Sequence, residues 1–183
     1  MAMQFNFNDT KIEGVKLITL KPILDERGWF LKTLHAPSFA AAGMCSEFPE
    51  SFVSLSKRNV IRGMHFQMPP HDHVKLVRCQ SGNILDVILD IRTGSATYGE
   101  YQTFMLEGDH PQCLYIPNGL AHGFLNLSDT AIVEYHTSTV HQPSHDAGIR
   151  WDSFGMEWRC DQPVISVRDL AFPSFGRFKS PFR

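Results

Sequence analysis

The chain has 183 residues, 43% of them hydrophobic and 20% charged, with a formal net charge of -2. That is enough apolar chain for one sizeable core, so a single domain spanning 1–183 is expected. The near-even charge balance excludes a broadly basic face for nucleic acid or membrane, and no apolar run approaches the roughly 20 residues that span a bilayer.

The opening MAMQFNFNDT lacks the basic start and apolar stretch of a secretory signal. Cys45, Cys79, Cys113 and Cys160 are scattered with no C-x-x-C spacing. Reduced thiols in a cytoplasmic protein are the simplest reading.

From the N-terminus onward, short apolar segments alternate with turn residues about every ten positions. The expected strands are Val15–Leu20, Trp29–Leu34, Phe52–Ser56, Val60–Gln67, Val74–Gln80, Ile84–Ile91, Tyr101–Leu106, Cys113–Ile116 and Ala131–Thr137. Turn-like stretches fall between them, Asp25–Gly28, Ser81–Asn83 and Pro117–Gly119 among them. One short helix is expected at Pro37–Met44, with Pro37 in its first turn and Gly43 near its end. This rhythm is that of an all-β sandwich or barrel. In the last strand, alternation places Ala131, Val133, Tyr135 and Thr137 on the smaller, more apolar face. From the strand alone, Tyr135 is an ordinary core tyrosine.

Two clusters carry chemistry. The first, R-G-M-H-F-Q (Arg62–Gln67), runs into M-P-P-H-D-H-V-K-L-V-R (Met68–Arg78). An inward His65 on a strand is costly unless it is paired or functional, and a histidine near its ordinary pKa of ~6.5 can accept a proton at neutral pH. His71 and His73 flank a proline-rich loop and read as solvated. Strict alternation separates Arg62 from His65, so Gly63 is expected to supply a bulge that turns both toward one pocket. The second cluster, Y-I-P-N-G-L-A-H-G-F-L-N (Tyr115–Asn126), has the P-x-G-x-x-H-x-x-x-N spacing of a cupin barrel's second half, with His122 re-entering the barrel. Cupins that bind a metal use His-x-His, a glutamate and a later histidine. Here His71, His73 and His122 are present, the glutamate is absent, and Lys75 would repel a cation, so no metal is expected.

These stretches, together with D-E-R-G-W-F (Asp25–Phe30), D-V-I-L-D-I-R (Asp86–Arg92), Y-G-E (Tyr98–Glu100), L-S-D-T-A (Leu127–Ala131) and G-I-R-W-D (Gly148–Asp152), resemble the dTDP-4-dehydrorhamnose 3,5-epimerases in order and spacing over roughly residues 8 to 172. The resemblance implies an all-β, cupin-type jelly-roll barrel with minor short helices, a homodimer, no cofactor and a nucleotide-diphosphate sugar as substrate. It also implies roles. His65 matches the base, Asp169 its aspartate partner, Lys75 the lysine at the substrate's keto oxygen, and Tyr135 the acid on the opposite face. Arg27, Arg62, His122 and Arg168 match substrate contacts, and Asp146 matches an acidic contact. Phe30, Glu50 and His141 complete the expected binding set. The chain departs from the family pattern at Lys32, where a glutamate is usual, at Glu50 and Phe52, where Gln-x-Asn is usual, and at Val140–His141, which replace a tyrosine pair.

The expected activity is inversion of C3, C5 or both in a 4-keto-6-deoxy sugar. The departures leave open a GDP- or CDP-linked substrate or a seven-carbon sugar. Single-centre epimerisation, 3,4-ketoisomerisation, a metal-binding cupin and a silent sugar-binding cupin are the alternatives. The tail from Phe172 is expected to cap a barrel, to cap a partner, or to be loose.

Overall fold

The computed structural model describes residues 5–183. In chain order the strands are β1 (Phe5–Asp9), β2 (Lys16–Leu20), β3 (Ile23–Asp25), β4 (Gly28–Phe30), β5 (Glu50–Lys57), β6 (Ile61–Gln67), β7 (Lys75–Ser81), β8 (Asn83–Asp90), β9 (Tyr101–Glu107), β10 (Gln112–Ile116), β11 (Leu120–Asn126), β12 (Thr130–Thr137) and β13 (Asp146–Gly148). Helix α1 (Ala36–Ala41) precedes β5, and helix α2 (Val167–Leu170) follows β13.

Two sheets face one another. One runs β1-β2-β10-β7-β12-β5 and the other β13-β6-β11-β8-β9, while β3 and β4 form a separate hairpin. Between the sheets lies a core to which both contribute, including Val77, Leu114 and Val133 from the first and Ile84, Ile88 and Phe124 from the second. The outer face of the five-stranded sheet is also apolar. Val87, Leu89 and Leu125 there pack beneath Ile149, Phe154, Trp158 and Phe182 from the chain after β13. The outer face of the six-stranded sheet is closed by Phe39 of α1, packed with Ile18, Leu20 and Leu76.

The architecture is the expected cupin-like jelly roll. Eight of the nine expected strands are present with ends shifted by one or two residues. The ninth, Trp29–Leu34, shrinks to the three-residue β4, because the chain leaves the hairpin after Phe30 and runs irregularly to α1. The expected helix ends early, at Ala41, after starting with Pro37 in its first turn. The tail does cap a sheet, since Phe178 and Phe182 both pack edge-on against Phe66.

The bulge expected in β6 is present. His122 of β11 faces His65 and Phe124 faces Arg62, so three steps along β6 oppose two along β11. Gly63 has φ +136°, and a Cβ on it would fall 2.5 Å from the Gly123 Cα. Only glycine fits that backbone and that close approach.

Candidate active site

A cavity of about 450 Å³ opens between the two sheets. Its walls carry His65 and Arg62 from β6, Lys75 from β7, His122 from β11 and Tyr135 from β12. Register explains each position. In β7, Lys75 shares the inward face with Val77 and Cys79. In β12 the burial pattern alternates, so Tyr135 follows Ala131 and Val133 into the interior. In β6 the extra residue at the bulge turns Arg62 and His65 to the same side.

His65 is held at both ends. Its Nε2 lies 2.9 Å from Asp169 Oδ1, and its backbone carbonyl accepts a hydrogen bond from Lys75 Nζ at 2.9 Å. Asp169 arrives on α2, whose N-cap Ser166 accepts from the Asp169 amide at 3.0 Å. Its second oxygen accepts from the Gly63 amide at 3.1 Å. Burial favours a protonated Asp169, but the contacts to His65, Gly63 and Ser166 outweigh it and hold the carboxyl below its ordinary range. Burial, helped by the Lys75 and Arg168 charges, lowers the His65 pKa against the opposing pull of Asp169. The pair therefore rests as carboxylate and neutral imidazole, the form that accepts a proton. Phe172, four residues after Arg168, sits edge-on to the His65 ring at 5.7 Å and beneath the Arg168 guanidinium at 5.3 Å.

Lys75 is buried, and desolvation pulls its ammonium down to about 8 despite the nearby carboxylates Asp146 and Asp86. Burial pushes the Tyr135 phenol well above its ordinary range, so it stays protonated and has a proton to give. The Phe52 ring stacks on it at 4.7 Å.

The remaining sequence-derived positions divide into two groups. Glu50, His141, Asp146 and Arg168 all line the cavity. Arg168 pairs with Asp146 at 2.6 Å, and Glu50 accepts from the His141 amide at 2.6 Å. Arg27 and Phe30 do not line it. They project from the β3–β4 hairpin into solvent, where Arg27 pairs with Asp25.

Sequence reasoning passed over three groups in the cavity region. Asp86, fully buried in β8, bonds His122 Nε2 at 2.8 Å. The signal was available: Ile84, Asp86 and Ile88 share one face of a strand, which puts a carboxylate inside. Gln67 donates to the His71 carbonyl at 2.7 Å and to His73 Nδ1 at 3.0 Å, while its oxygen accepts from the Gln142 amide at 2.6 Å. That orientation leaves the His73 proton on Nε2. His73 is accordingly no solvated loop residue: it lines the cavity, and burial pushes its pKa down to about 3. Ser54 of β5 also lines the cavity, 3.5 Å from the Tyr135 hydroxyl.

Among the described residues, the one grouping with metal-ligand spacing is Glu107, Asp109 and His110 at the β9–β10 turn, away from the cavity. His71, His73 and His122 form no such group. Each of the latter two has a ring nitrogen already engaged, and His71 packs on the His145 ring at 4.5 Å.

A neutral imidazole and a protonated phenol on facing walls, with an ammonium to absorb negative charge, can take a proton off carbon and replace it. Fold and site together define an acid–base isomerase on a cupin-like barrel. The sequence pattern of the dTDP-4-dehydrorhamnose 3,5-epimerases matches residues 9–177. A dTDP-4-dehydrorhamnose 3,5-epimerase from Methanothermobacter thermautotrophicus is 37% identical over 98% of this chain and 96% of its own. A dTDP-4-dehydrorhamnose 3-epimerase from Streptomyces niveus is 35% identical over 86% of this chain and 78% of its own. The crystal structure of the dTDP-6-deoxy-D-glucose-3,5-epimerase from Legionella pneumophila, in complex with dTDP-4-keto-L-rhamnose, superposes with a TM-score of 0.91. It covers 96% of this chain and 95% of its own at 30% identity. The chain belongs to the dTDP-4-dehydrorhamnose 3,5-epimerase family and is a nucleotide-sugar epimerase.

Proposed function

We propose that the protein inverts C3, C5 or both in a dTDP-linked 4-keto-6-deoxy sugar, with His65 as base and Tyr135 as acid. The observation that carries this reading is that the two side chains enter one cavity from opposing sheets, β6 and β12. His65 removes the proton beside the ketone, and Asp169 stabilises the imidazolium that forms. Lys75 meets the charge that grows on the keto oxygen as the enolate develops. Tyr135 then delivers a proton from the other wall, which makes the new configuration. General base catalysis typically contributes about 100- to 10,000-fold, and the lysine adds electrostatic stabilisation of the enolate. Arg62 and Arg168 supply positive charge for the diphosphate.

The sugar nucleotide is assigned as dTDP-linked because the relatives named above act on dTDP sugars. Glu50, Phe52 and His141, three of the departures from the family pattern, lie together in the cavity wall, where they can tune the choice of sugar. Incubation with candidate 4-keto sugar nucleotides in heavy water tests the assignment. Deuterium is expected at C3 and C5, or at one of them for a single-centre enzyme. Absence of label from every candidate sinks the epimerase reading.

The working form is assigned as a homodimer. The resemblance makes Arg27 and Phe30 substrate contacts, yet both stand outside their own chain's cavity. A partner chain resolves this, each hairpin reaching the other chain's cavity. The exposed Ile23, Leu24 and Trp29 on the same hairpin support a buried contact there. Mixing an Arg27→Ala chain with a His65→Ala chain is expected to restore partial activity; no restoration counts against delivery across the interface. The four free cysteines support a reducing compartment, the cytoplasm.

A further inference from the structure

We propose that Ser54 is the residue through which Tyr135 recovers its proton between inversions. This rests on the acid–base reading given above. After each inversion His65 carries one proton too many and Tyr135 one too few. Inversion of a second carbon, or of a second substrate, must wait until both are reset. His65 is half-buried and can release its proton to water in the cavity. Tyr135 is boxed in. Phe52 stacks on its ring at 4.7 Å with planes 16° apart, and the His122 ring meets it edge-on at 6.2 Å. Among the described residues its hydroxyl has one hydrogen-bond partner, Ser54 Oγ, at 3.5 Å. That is the long limit of a hydrogen bond, of the kind that tightens when substrate fills a site.

Neither flanking polar group is hydrogen-bonded to the phenol. His122 Nε2 is engaged with Asp86, and Arg62 is committed to Ser56 Oγ at 2.9 Å and the Leu55 carbonyl at 3.2 Å. Ser54 is bonded to the phenol, and a hydroxyl donates and accepts at once. It is half-buried on β5, the edge strand of its sheet, so one side faces the phenol and the other is within reach of water. The step balances: the Ser54 hydroxyl gives its proton to the phenolate oxygen as it takes one from water. His65 returns one to solvent, and the proton count of the protein is unchanged. Ser54 thus acts through Tyr135, as a positioning and relay group.

The test is Ser54→Ala beside wild type, with three readouts: deuterium exchange at C3 and C5, inversion with enzyme in excess, and inversion over many turnovers. Exchange by His65 alone needs no phenol, so it is expected to stay near the wild-type rate, which also reports a folded variant. The first inversion uses the proton already on Tyr135 and is expected to be near normal. Steady-state inversion is expected to fall about tenfold or more, within the range of a lost proton-transfer group. Ser54→Thr, which keeps a hydroxyl, is expected to restore it. Unchanged steady-state inversion overturns the relay, and so does equal loss in all three readouts or failure of the threonine to rescue. Wild-type exchange, measured in parallel, reports separately on the epimerase reading.

Discussion

Two histidine–aspartate pairs open onto the same cavity, and they are built on different plans. His65 meets Asp169, whose other oxygen is bonded by the Gly63 amide, so the carboxylate is stabilised from both sides. His122 meets Asp86, which is fully buried and has no partner for Oδ1 among the described residues. Burial drives the Asp86 pKa up, and contact with His122 only partly offsets it. The histidine–aspartate combination is common to both; the surroundings of the carboxylate decide what each pair can do. Where the charge is well solvated by protein donors, the imidazole has a stable anion to lean on when it takes a proton. Where the carboxylate lacks donors, its charge is poorly stabilised, and on the proposed roles the pair is a fixed polar wall and not a base.

The sharpest way to break that contrast is to disable each pair. His65→Ala is expected to lower deuterium exchange into substrate by about 100- to 10,000-fold, while Asp86→Asn keeps the rate within about tenfold. If Asp86→Asn were the more damaging, the assignment of the two pairs would be reversed.

A smaller effect isolates the carboxylate. Asp169→Asn leaves the imidazole in place but removes the charge that stabilises its protonated form. Each lost pKa unit is about 1.4 kcal/mol, so a loss of roughly 10- to 100-fold is expected. The pH profile gives the sign. As the proposed base, His65 must be neutral to act, so activity is expected to fall as pH drops through its pKa, which burial already holds below the ordinary 6.5. Asp169 raises that pKa. Without it the acid limb of kcat/KM is expected to move to lower pH, and a limb that stays put or moves up would contradict the pairing.

The smallest effect concerns Lys75. With its pKa near about 8, it loses charge as pH rises through that value, and an alkaline limb is expected there. Lys75→Arg keeps the charge at every accessible pH, so the alkaline limb is expected to disappear with less than about a tenfold cost in kcat. A limb near pH 8 that survives in the arginine variant belongs to another group.

Much of this was legible in the sequence, for reasons specific to each element. Strand β12 alternates cleanly because one face meets the core and the other a wetter outer surface, and that alternation placed Tyr135 inside. Strand β11, Leu120–Asn126, is legible only through the motif that returns His122 to the barrel and not through alternation, because every residue in it is buried. A strand covered on both faces shows no period of two. Strands β3 and β13 are three residues each, below the length at which any period can be read. Strand β1 was missed although Phe5 and Phe7 stack side by side, since the intervening asparagine and the following Asn8 and Asp9 read as loop. In the site, the bulge at Gly63 could be inferred because two functional side chains needed one face. The link from Gln67 to His73 could not, because it depends on how the proline-rich turn folds back. Nor could the contrast between Asp169 and Asp86, which rests on which backbone amides surround each carboxylate.

The bond from His65 to Asp169 joins residues 104 positions apart, with most of the barrel between them. Synthesis on a ribosome runs at about 5–20 residues per second, so the proposed base His65 leaves the peptidyl transferase centre roughly 5–20 s before Asp169 exists. A nascent chain can therefore assemble nearly all of its strands while still chemically idle. On the proposed roles, proton abstraction becomes competent only when the closing segment has wrapped the outside of the finished sheet, which would make activity a late and stringent reporter of complete folding.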